Sequence, residues 1–138
     1  MASYQVPGAD GCTSWKTATD LSSSQYMGVK LSAAKTVAIG DANGDLAIGV
    51  LQNKPTSGMA AKVFTQSGGI CKVYAGAAIT YGAVLTTNAS GHLVTTTTDT
   101  DIAFGYALES AGAAGDIIEM LFVGPHIISD ASWYSAGS

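Results

Sequence analysis

The side chains best suited to chemistry are few, and they lie far apart in the chain. The sequence has two histidines, His92 and His126, and two cysteines, Cys12 and Cys71. A catalytic triad needs a histidine beside a serine, threonine or cysteine, whereas a zinc site needs closely spaced ligand pairs. Neither histidine follows a nucleophile motif, and no two of these ligands are near neighbours. We therefore expect no catalytic residue and no bound metal, with Cys71 acting as a small buried hydrophobe.

A second candidate for chemistry is the acidic segment Asp41-Ala-Asn-Gly-Asp45, which briefly resembles a calcium loop. An EF-hand would require glycine at its sixth position and glutamate at its twelfth, where this chain has Leu46 and Gln52. A hairpin turn is the better interpretation, because Asn43 and Gly44 both tolerate positive φ. Gly68-Gly69 and the glycines of residues 112–115 precede strands instead of helices, so they predict no phosphate loop and no cofactor.

Length and charge narrow the classes of partner. The 138 residues include six lysines, no arginine and ten acidic residues, with a net charge of −4. Such a chain cannot neutralise a row of phosphates, so we expect no nucleic-acid partner. No apolar run approaches the roughly 20 residues of a membrane helix, so we expect no membrane partner. The first 20 residues lack the basic and apolar regions of a signal peptide, which favours synthesis in a reducing cytoplasm.

Short apolar runs separated by turn residues predict an all-β fold with little helix. The length fits one small domain, either a β-barrel or a β-sandwich. A second turn is predicted at Asn88-Ala-Ser-Gly91, and the apolar residues on both faces of the last strand indicate a central strand or one covered by a partner. The predicted strands are Met27–Leu31, Thr36–Ile39, Leu46–Leu51, Ala60–Thr65, Gly69–Ala75, Ala83–Thr86, His92–Thr97, Ile102–Leu108 and Asp116–Val123.

The two ends of the chain differ from this pattern. Residues 1–25 and 124–138 are rich in small and polar residues, so we expect an extended N-terminal arm, a β domain over 26–123 and a C-terminal tail. Each end could be a frayed tail or a segment that orders on a neighbouring molecule. Their aromatic side chains, together with one at the domain boundary, are the candidate contacts with a neighbouring molecule: Tyr4, Trp15, Tyr26, Trp133 and Tyr134.

One motif is echoed within the chain. Leu46-Ala-Ile-Gly-Val-Leu51 resembles Ile102-Ala-Phe-Gly-Tyr-Ala-Leu108, and both are followed by a glycine-containing turn and a further strand. In each copy, alternation places alanine and glycine together on one face. Such a face permits close backbone approach. It therefore predicts either tight packing within a small barrel or sandwich, or packing against a second subunit at a symmetry axis.

Four motifs in a fixed order resemble the small decoration (cement) proteins of tailed-phage capsids. They are a Gly-Val-Leu ending at Leu51, Gly76-Ala-Ala-Ile-Thr-Tyr-Gly-Ala-Val-Leu85, Gly105-Tyr-Ala-Leu-Glu109 and Gly115-Asp-Ile-Ile-Glu-Met-Leu121. The resemblance covers residues 27–123. It implies a β-rich domain on the outer capsid surface of the virion, made in the host bacterial cytoplasm, with no enzymatic activity.

The same resemblance implies the partners. These are the major capsid protein, whose inter-subunit contacts the protein would stabilise, and two further copies of this chain in a homotrimer. An alternative is a carbohydrate- or receptor-binding β module of a virion fibre or spike, because exposed tryptophan and tyrosine can stack on sugars. A small β-barrel enzyme is the least favoured hypothesis.

Overall fold

The computed structural model describes residues 11–17, 19–97 and 101–127 of the chain. This part of the chain forms ten β-strands and one 3₁₀ turn at Ala42–Gly44. The all-β prediction is confirmed. The strands are β1 Cys12–Thr17, β2 Gly28–Ala33, β3 Thr36–Ile39, β4 Ala47–Leu51, β5 Ala61–Phe64, β6 Gly69–Tyr74, β7 Val84–Thr87, β8 Leu93–Thr95, β9 Ile102–Ala107 and β10 Ile117–Ile127.

The strands form two five-stranded units that follow each other along the chain. In the first unit, residues 11–65, strands β1–β5 close into a barrel in the order β1-β3-β2-β4-β5. In the second unit, residues 66–127, the sheet order is β6-β10-β9-β7-β8. A parallel bridge between Ala75 and Leu93 links the two ends of that second order. This bridge corresponds to the parallel pairing of β1 with β3 in the barrel.

The two units have the same connectivity. Strands β1 to β5 correspond in turn to β6 to β10, and each strand pairing of the barrel has its counterpart in the second unit with the same relative direction. The barrel order is β1-β3-β2-β4-β5. Because the Ala75–Leu93 bridge joins the β6 end to β8, the second unit can be read from β6 in the other direction as β6-β8-β7-β9-β10, which is the same order. We conclude that the fold is an internal duplication of one five-stranded unit.

Hydrogen bonds in the loops support the duplication residue by residue. The amide of Tyr26 donates to the carbonyl of Leu51 at 2.6 Å, and the amide of Gly82 donates to the carbonyl of Ala107 at 2.8 Å. Four further bonds of the first unit have a counterpart in the second unit, where the donor and the acceptor each lie 56 to 58 positions later in the chain. Written from the donating amide to the accepting carbonyl, the pairs are Leu51→Met27 with Ala107→Ala83, Gly58→Thr17 with Gly115→Ala75, Leu21→Pro55 with Ile79→Ala111, and Gln52→Lys62 with Leu108→Glu119.

The hydrophobic core explains how two small units form one body. The interior of the barrel is a cluster of its own, which includes Val29, Val37 and Val63. The larger cluster fills the second unit and also takes in three residues from the outside of the barrel, Cys12, Val50 and Phe64. The Phe64 ring packs edge-on against the Phe122 ring, with the ring centroids 5.7 Å apart. The first unit is thus anchored in the core of the second.

The N-terminal boundary of the β domain differs from the sequence-based expectation. Residues 12–17 were assigned to the arm, but they form β1, which pairs with both β3 and β5 and closes the barrel. The sequence CTSWKT alternates Cys12, Ser14 and Lys16 with Thr13, Trp15 and Thr17, but three hydroxyl residues and a lysine conceal the strand pattern. Residues 1–10 lie outside the described residues, so an arm in that segment stays a prediction.

The C-terminal boundary also shifts. The tail was expected to begin at residue 124, but β10 continues to Ile127 and pairs with β9, with His126 opposite Ala103. The register shifts between Phe122 and His126, and Gly124 at φ +109° permits this irregularity. Proline at 125, which favours irregular structure, concealed the continuation.

The two predicted turns have different outcomes. The turn at residues 88–91 is confirmed, since it joins β7 and β8 in a hairpin with Thr87 opposite Leu93. The hairpin predicted at Asp41–Asp45 is wrong, because β3 and β4 do not pair with each other and both pair with β2. The expected positive φ is nevertheless present, at 64° for Asn43 and 71° for Gly44.

The repeated motif explains how the sheets fit together. A Cβ at Gly49 would collide with the carbonyl oxygen of Phe64, and a Cβ at Gly105 would collide with that of Leu121. Both glycines are buried at matching places in β4 and β9. Of the two explanations for the alanine and glycine face, tight packing within the chain accounts for both glycines.

Replacing Gly105 with alanine should destabilise the fold strongly. The added methyl group would meet backbone atoms that no side-chain rotation can move, and overpacking of this kind costs about 1–3 kcal/mol or more. Gly112→Ala is the matched control, because a Cβ there meets only Asp116 Oδ2 at 3.6 Å, an ordinary contact. Urea unfolding of both variants measures the free energy of unfolding. Equal losses in the two variants would contradict the close-approach explanation.

Tyr26 has an unfavourable backbone conformation that its counterpart avoids. Its φ is 70°, and the matching residue in the second unit is Gly82 with φ 84°. A side chain in the left-handed region costs roughly 1–2 kcal/mol. Tyr26→Gly should therefore be more stable than Tyr26→Ala by about 1 kcal/mol, and Gly82→Ala should lose a similar amount. Thermal or urea unfolding tests this, and equal stability of the glycine and alanine variants at 26 would show that the position carries no strain.

Candidate functional site

The two histidines are engaged in structural contacts. The His92 ring lies against the Tyr74 ring, with centroids 4.7 Å apart and planes inclined at 47°. Nδ1 of His126 lies 2.8 Å from the carbonyl oxygen of Gly124. Neither geometry pairs a histidine with a nucleophilic side chain. Both rings contribute to the packing of the second unit.

Both cysteines are buried thiols that form no disulfide. Burial raises the pKa of the Cys71 thiol to about 12, and the nearby Cys12 adds to the rise. The thiolate is the reactive form of cysteine, so a thiol with this pKa is inert at neutral pH. The expectation that Cys71 serves as a small buried hydrophobe is confirmed, since it is 5% exposed and belongs to the larger core cluster.

The acidic loop between β3 and β4 is held by the protein itself. Asp41 caps the 3₁₀ turn by accepting from the amide of Ala42 at 2.9 Å, and its other oxygen contacts Lys30 Nζ at 3.2 Å. The amide of Ala42, and then Lys30, hold the pKa of Asp41 below its usual value. Thr87 donates its hydroxyl proton to the Asp41 carbonyl, which fixes this loop of the first unit against β7. The loop therefore has a structural role at the junction.

Residues 11–17, 19–97 and 101–127 contain no group of three or more histidine, cysteine or acidic side chains arranged to hold a metal ion. Within the same part of the chain, no helix has the length and hydrophobicity needed to cross a bilayer.

Trp15 lines a shallow hollow on the first unit. Its indole N–H donates to Thr13 Oγ1 at 2.8 Å, and its half-buried ring packs against the interior cluster of the barrel. The hollow has a volume of about 380 Å³ and is lined by β1, by Lys35 and by residues 58–60. Met59 in this lining is 59% exposed. The hollow therefore presents an aromatic and apolar floor flanked by two lysines, Lys16 and Lys35.

Tyr26 lies at the junction of the two units. Its amide donates to Leu51 in the first unit, and its carbonyl accepts from the amide of Tyr74 in the second at 2.7 Å. Tyr26 does not line the Trp15 hollow, so the structure does not bring these two candidate residues together. The other predicted contact residues, Tyr4, Trp133 and Tyr134, lie outside the described residues.

A third surface was not identified from the sequence. On the outer face of the second unit, Ile70, Leu121 and Tyr106 lie side by side across β6, β10 and β9. Ile70 is 55% exposed and Tyr106 is 39% exposed. Beside Tyr106, an apolar hollow of about 290 Å³ is lined by Val84, Gly105, Tyr106, Val123 and His126. The apolar residues on both faces of β10 were the sequence signal for this surface.

Comparison with known proteins gives a family and a fold. The model of the family described as phage cement protein matches residues 14–122. A solved structure, that of head fiber gp8.5 N base in bacteriophage phi29, is similar with a TM-score of 0.60 and 20% sequence identity. The similarity covers 80% of this chain and 92% of that one, and at this identity it supports the fold. The comparison with curated proteins gives no match.

The family match includes all of β2 to β9, the last four residues of β1 and the first six residues of β10. It also includes Trp15, Tyr26 and the outer face of the second unit. The resemblance that rested on four short motifs is thereby confirmed: the chain belongs to the phage cement protein family and is a capsid-associated structural protein.

Proposed function

We propose that this protein is a clamp on the outer surface of a phage head, where it binds the major capsid protein and stabilises contacts between neighbouring capsid subunits. It acts as a homotrimer, has no enzymatic activity, and is made in the cytoplasm of the bacterial host before joining the virion. The observation that carries the proposal is the family match over residues 14–122.

The rigidity of the junction supports a clamp. In the described part of the chain, hydrogen bonds from the amides of Gly28 and Tyr74 and from the side chains of Gln52 and Thr87 connect the two units. Together with the Phe64–Phe122 contact, they fix the two units relative to each other. A rigid body loses little conformational freedom on binding, so more of its contact energy remains as affinity. Many copies on one shell then act together.

The state of the reactive groups supports a structural role over catalysis. The Cys71 thiol stays protonated at neutral pH, and both histidines make structural contacts. A general base or nucleophile needs a partner within hydrogen-bond reach, and these side chains have none in that role. The surface offers shallow hollows with apolar floors, which suit contact with another protein.

Purified protein should pellet with mature heads of its source phage that lack it. We expect saturable co-sedimentation at a fixed ratio to the major capsid protein and a higher disassembly temperature of the decorated heads, because binding favours the intact shell over free subunits. An unrelated acidic β protein of similar size is the control. Pelleting no greater than that control would refute the proposal and would favour the alternative, a carbohydrate- or receptor-binding module, which a glycan-binding assay then tests.

The chain ends are tested by truncation. Removal of residues 1–25 would delete β1 and open the barrel, so the informative variant removes residues 1–10 alone. A second variant, Trp133→Ala with Tyr134→Ala, tests the C-terminal candidates. We expect both to weaken head binding by about tenfold, equivalent to about 1.4 kcal/mol, while the urea unfolding midpoint stays within error of the full chain. Unchanged binding by both variants would remove the chain ends from the proposed contact.

A further inference from the structure

Because the two units share one connectivity, the outer face of the first unit can be compared with that of the second, residue by residue. In the first unit, Cys12 is directly opposite Phe64, and Phe64 is directly opposite Val50, so these three form a row across β1, β5 and β4. They are 8%, 5% and 0% exposed. The row is covered because it packs into the core of the second unit. It is thus the surface by which one unit of this fold binds another.

The second unit carries the same row, and residues 11–17, 19–97 and 101–127 leave it uncovered. Ile70 is directly opposite Leu121, and Leu121 is directly opposite Tyr106, across the corresponding strands β6, β10 and β9. All three residues are apolar or aromatic, and Ile70 and Tyr106 are 55% and 39% exposed. We name Ile70, Leu121 and Tyr106 the open row.

The open row is larger than its own three residues. The apolar hollow beside Tyr106 extends it toward Val123, which is 42% exposed. Leu108, which directly follows β9, is 41% exposed. In repeat proteins, an end unit without a polar cap exposes the face that would bind the next unit. Within the described residues, the second unit is such an uncapped end.

Charge indicates which surface fits the open row. The first unit has five lysines and three aspartates, a net charge of +2, whereas the second has one lysine and five acidic residues, a net charge of −4. Glu119 is exposed and lies two positions from Leu121, on the same face of β10. The exposed Lys72 is directly opposite Glu119 on β6, so the excess of negative charge belongs to the second unit as a whole. The Trp15 hollow on the first unit has the opposite character, with Lys16 and Lys35 flanking an aromatic and apolar floor.

We propose that the open row of one molecule docks on the Trp15 hollow of a second copy of this chain. The contact is head-to-tail, because it joins the second unit of one copy to the first unit of the next. Such contacts close into a ring when the rotation per copy divides a full turn. The inference rests on the homotrimer of the proposed function and assigns the two faces that form it.

Two features favour a second copy over the capsid protein as the occupant. The buried row of the first unit already binds a unit of this same fold, so the row position is a contact surface between such units. The charges of the two units are also complementary within one sequence, and complementary surfaces favour association of the correct partners. The capsid protein is then left for other surfaces of the ring.

Two full-length variants test the two faces separately. The row variant carries Ile70→Ser and Tyr106→Ser, which remove apolar side chains of the open row. The hollow variant carries Lys16→Glu and Lys35→Glu, which reverse the charge around the Trp15 hollow. In sedimentation velocity, we expect the wild-type protein to form trimers and each variant to associate at least about tenfold more weakly. Leu46→Ser with Tyr81→Ser is the matched control, since it removes exposed apolar side chains at 58% and 67% exposure outside the two faces. It should form trimers like the wild type.

Mixing the two variants is the decisive measurement. The row variant keeps an intact hollow and the hollow variant keeps an intact row, so an equimolar mixture can form one good contact and should give a heterodimer. Circular dichroism and unfolding midpoints establish that each variant is folded. If the row variant does not fold, the single change Ile70→Glu, at a more exposed position, replaces it in both measurements.

The remaining outcomes overturn the inference in distinct ways. A wild-type protein that stays monomeric at high concentration excludes the contact, and a row variant that forms trimers like the wild type excludes the open row. Variants that remain monomeric when mixed exclude the head-to-tail arrangement. Head binding is measured on the same samples. Monomers that pellet with heads would refute this inference and the homotrimer but leave the capsid clamp standing, whereas trimers that do not pellet would refute the capsid clamp alone.

Discussion

The burial of Cys12, Phe64 and Val50 in the second unit is the contact on which the rest of the structure depends. A unit of about 55 residues buries too little surface to be robust by itself. Among the described residues, the interior cluster of the barrel has only six buried hydrophobic residues. Burying one phenylalanine contributes about 1.5–3 kcal/mol, and its edge-on contact with Phe122 adds to this. The junction therefore supplies stability that neither unit reaches alone.

This dependence makes the two units one folding body. The loop at Asp41 belongs to the first unit, but it is fixed by the Thr87 hydroxyl of the second. The carbonyl of Tyr26, whose backbone is strained, accepts from Tyr74 of the second unit. Strained conformations persist where surrounding structure determines them. The strain at Tyr26 is thus maintained by both units together.

Much of the fold was predictable from local sequence. Nine strands were expected and all nine are present, because alternation and turn residues such as Asn88 and Gly91 are local signals. The missed strand, β1, depends on pairing with β5, some 50 residues away, and its polar sequence CTSWKT carries little pattern of its own. The false hairpin at Asp41–Asp45 has the same cause. Turn residues specify a local chain reversal, whereas the insertion of β2 between β3 and β4 is set by long-range pairing.

The duplication was visible in sequence only as the echo at Leu46–Leu51 and Ile102–Leu108. The reason is physical: the shared features are backbone hydrogen bonds and positive φ angles, and these tolerate many side chains. Tyr26 corresponds to Gly82, and Lys35 corresponds to Gly91, each pair with positive φ. Identity is lost at such positions while the geometry remains. Of the candidate site, the aromatic residues could be named from sequence, but the open row required knowing which strands lie side by side.

Divergence between the two units explains how a duplicated fold acquires a binding face. In the first unit, the row at Cys12, Phe64 and Val50 is used internally, so its residues are constrained by the core. In the second unit, nothing within the described chain covers the equivalent row, and a soluble monomer would be expected to place polar residues there. Ile70, Leu121 and Tyr106 stand there instead. Exposed apolar surface of this kind favours aggregation unless a partner covers it.

The opposite net charges of the two units favour contact between the second unit of one molecule and the first unit of another. Identical units would associate equally well in any order, including open chains of indefinite length. Because the first unit has a net positive charge and the second a net negative charge, like units repel and unlike units attract. A decoration protein benefits from this arrangement, because a closed ring leaves no unsatisfied apolar row to bind the next particle. In the proposed ring, the row that would make a monomer aggregate is covered by the next copy.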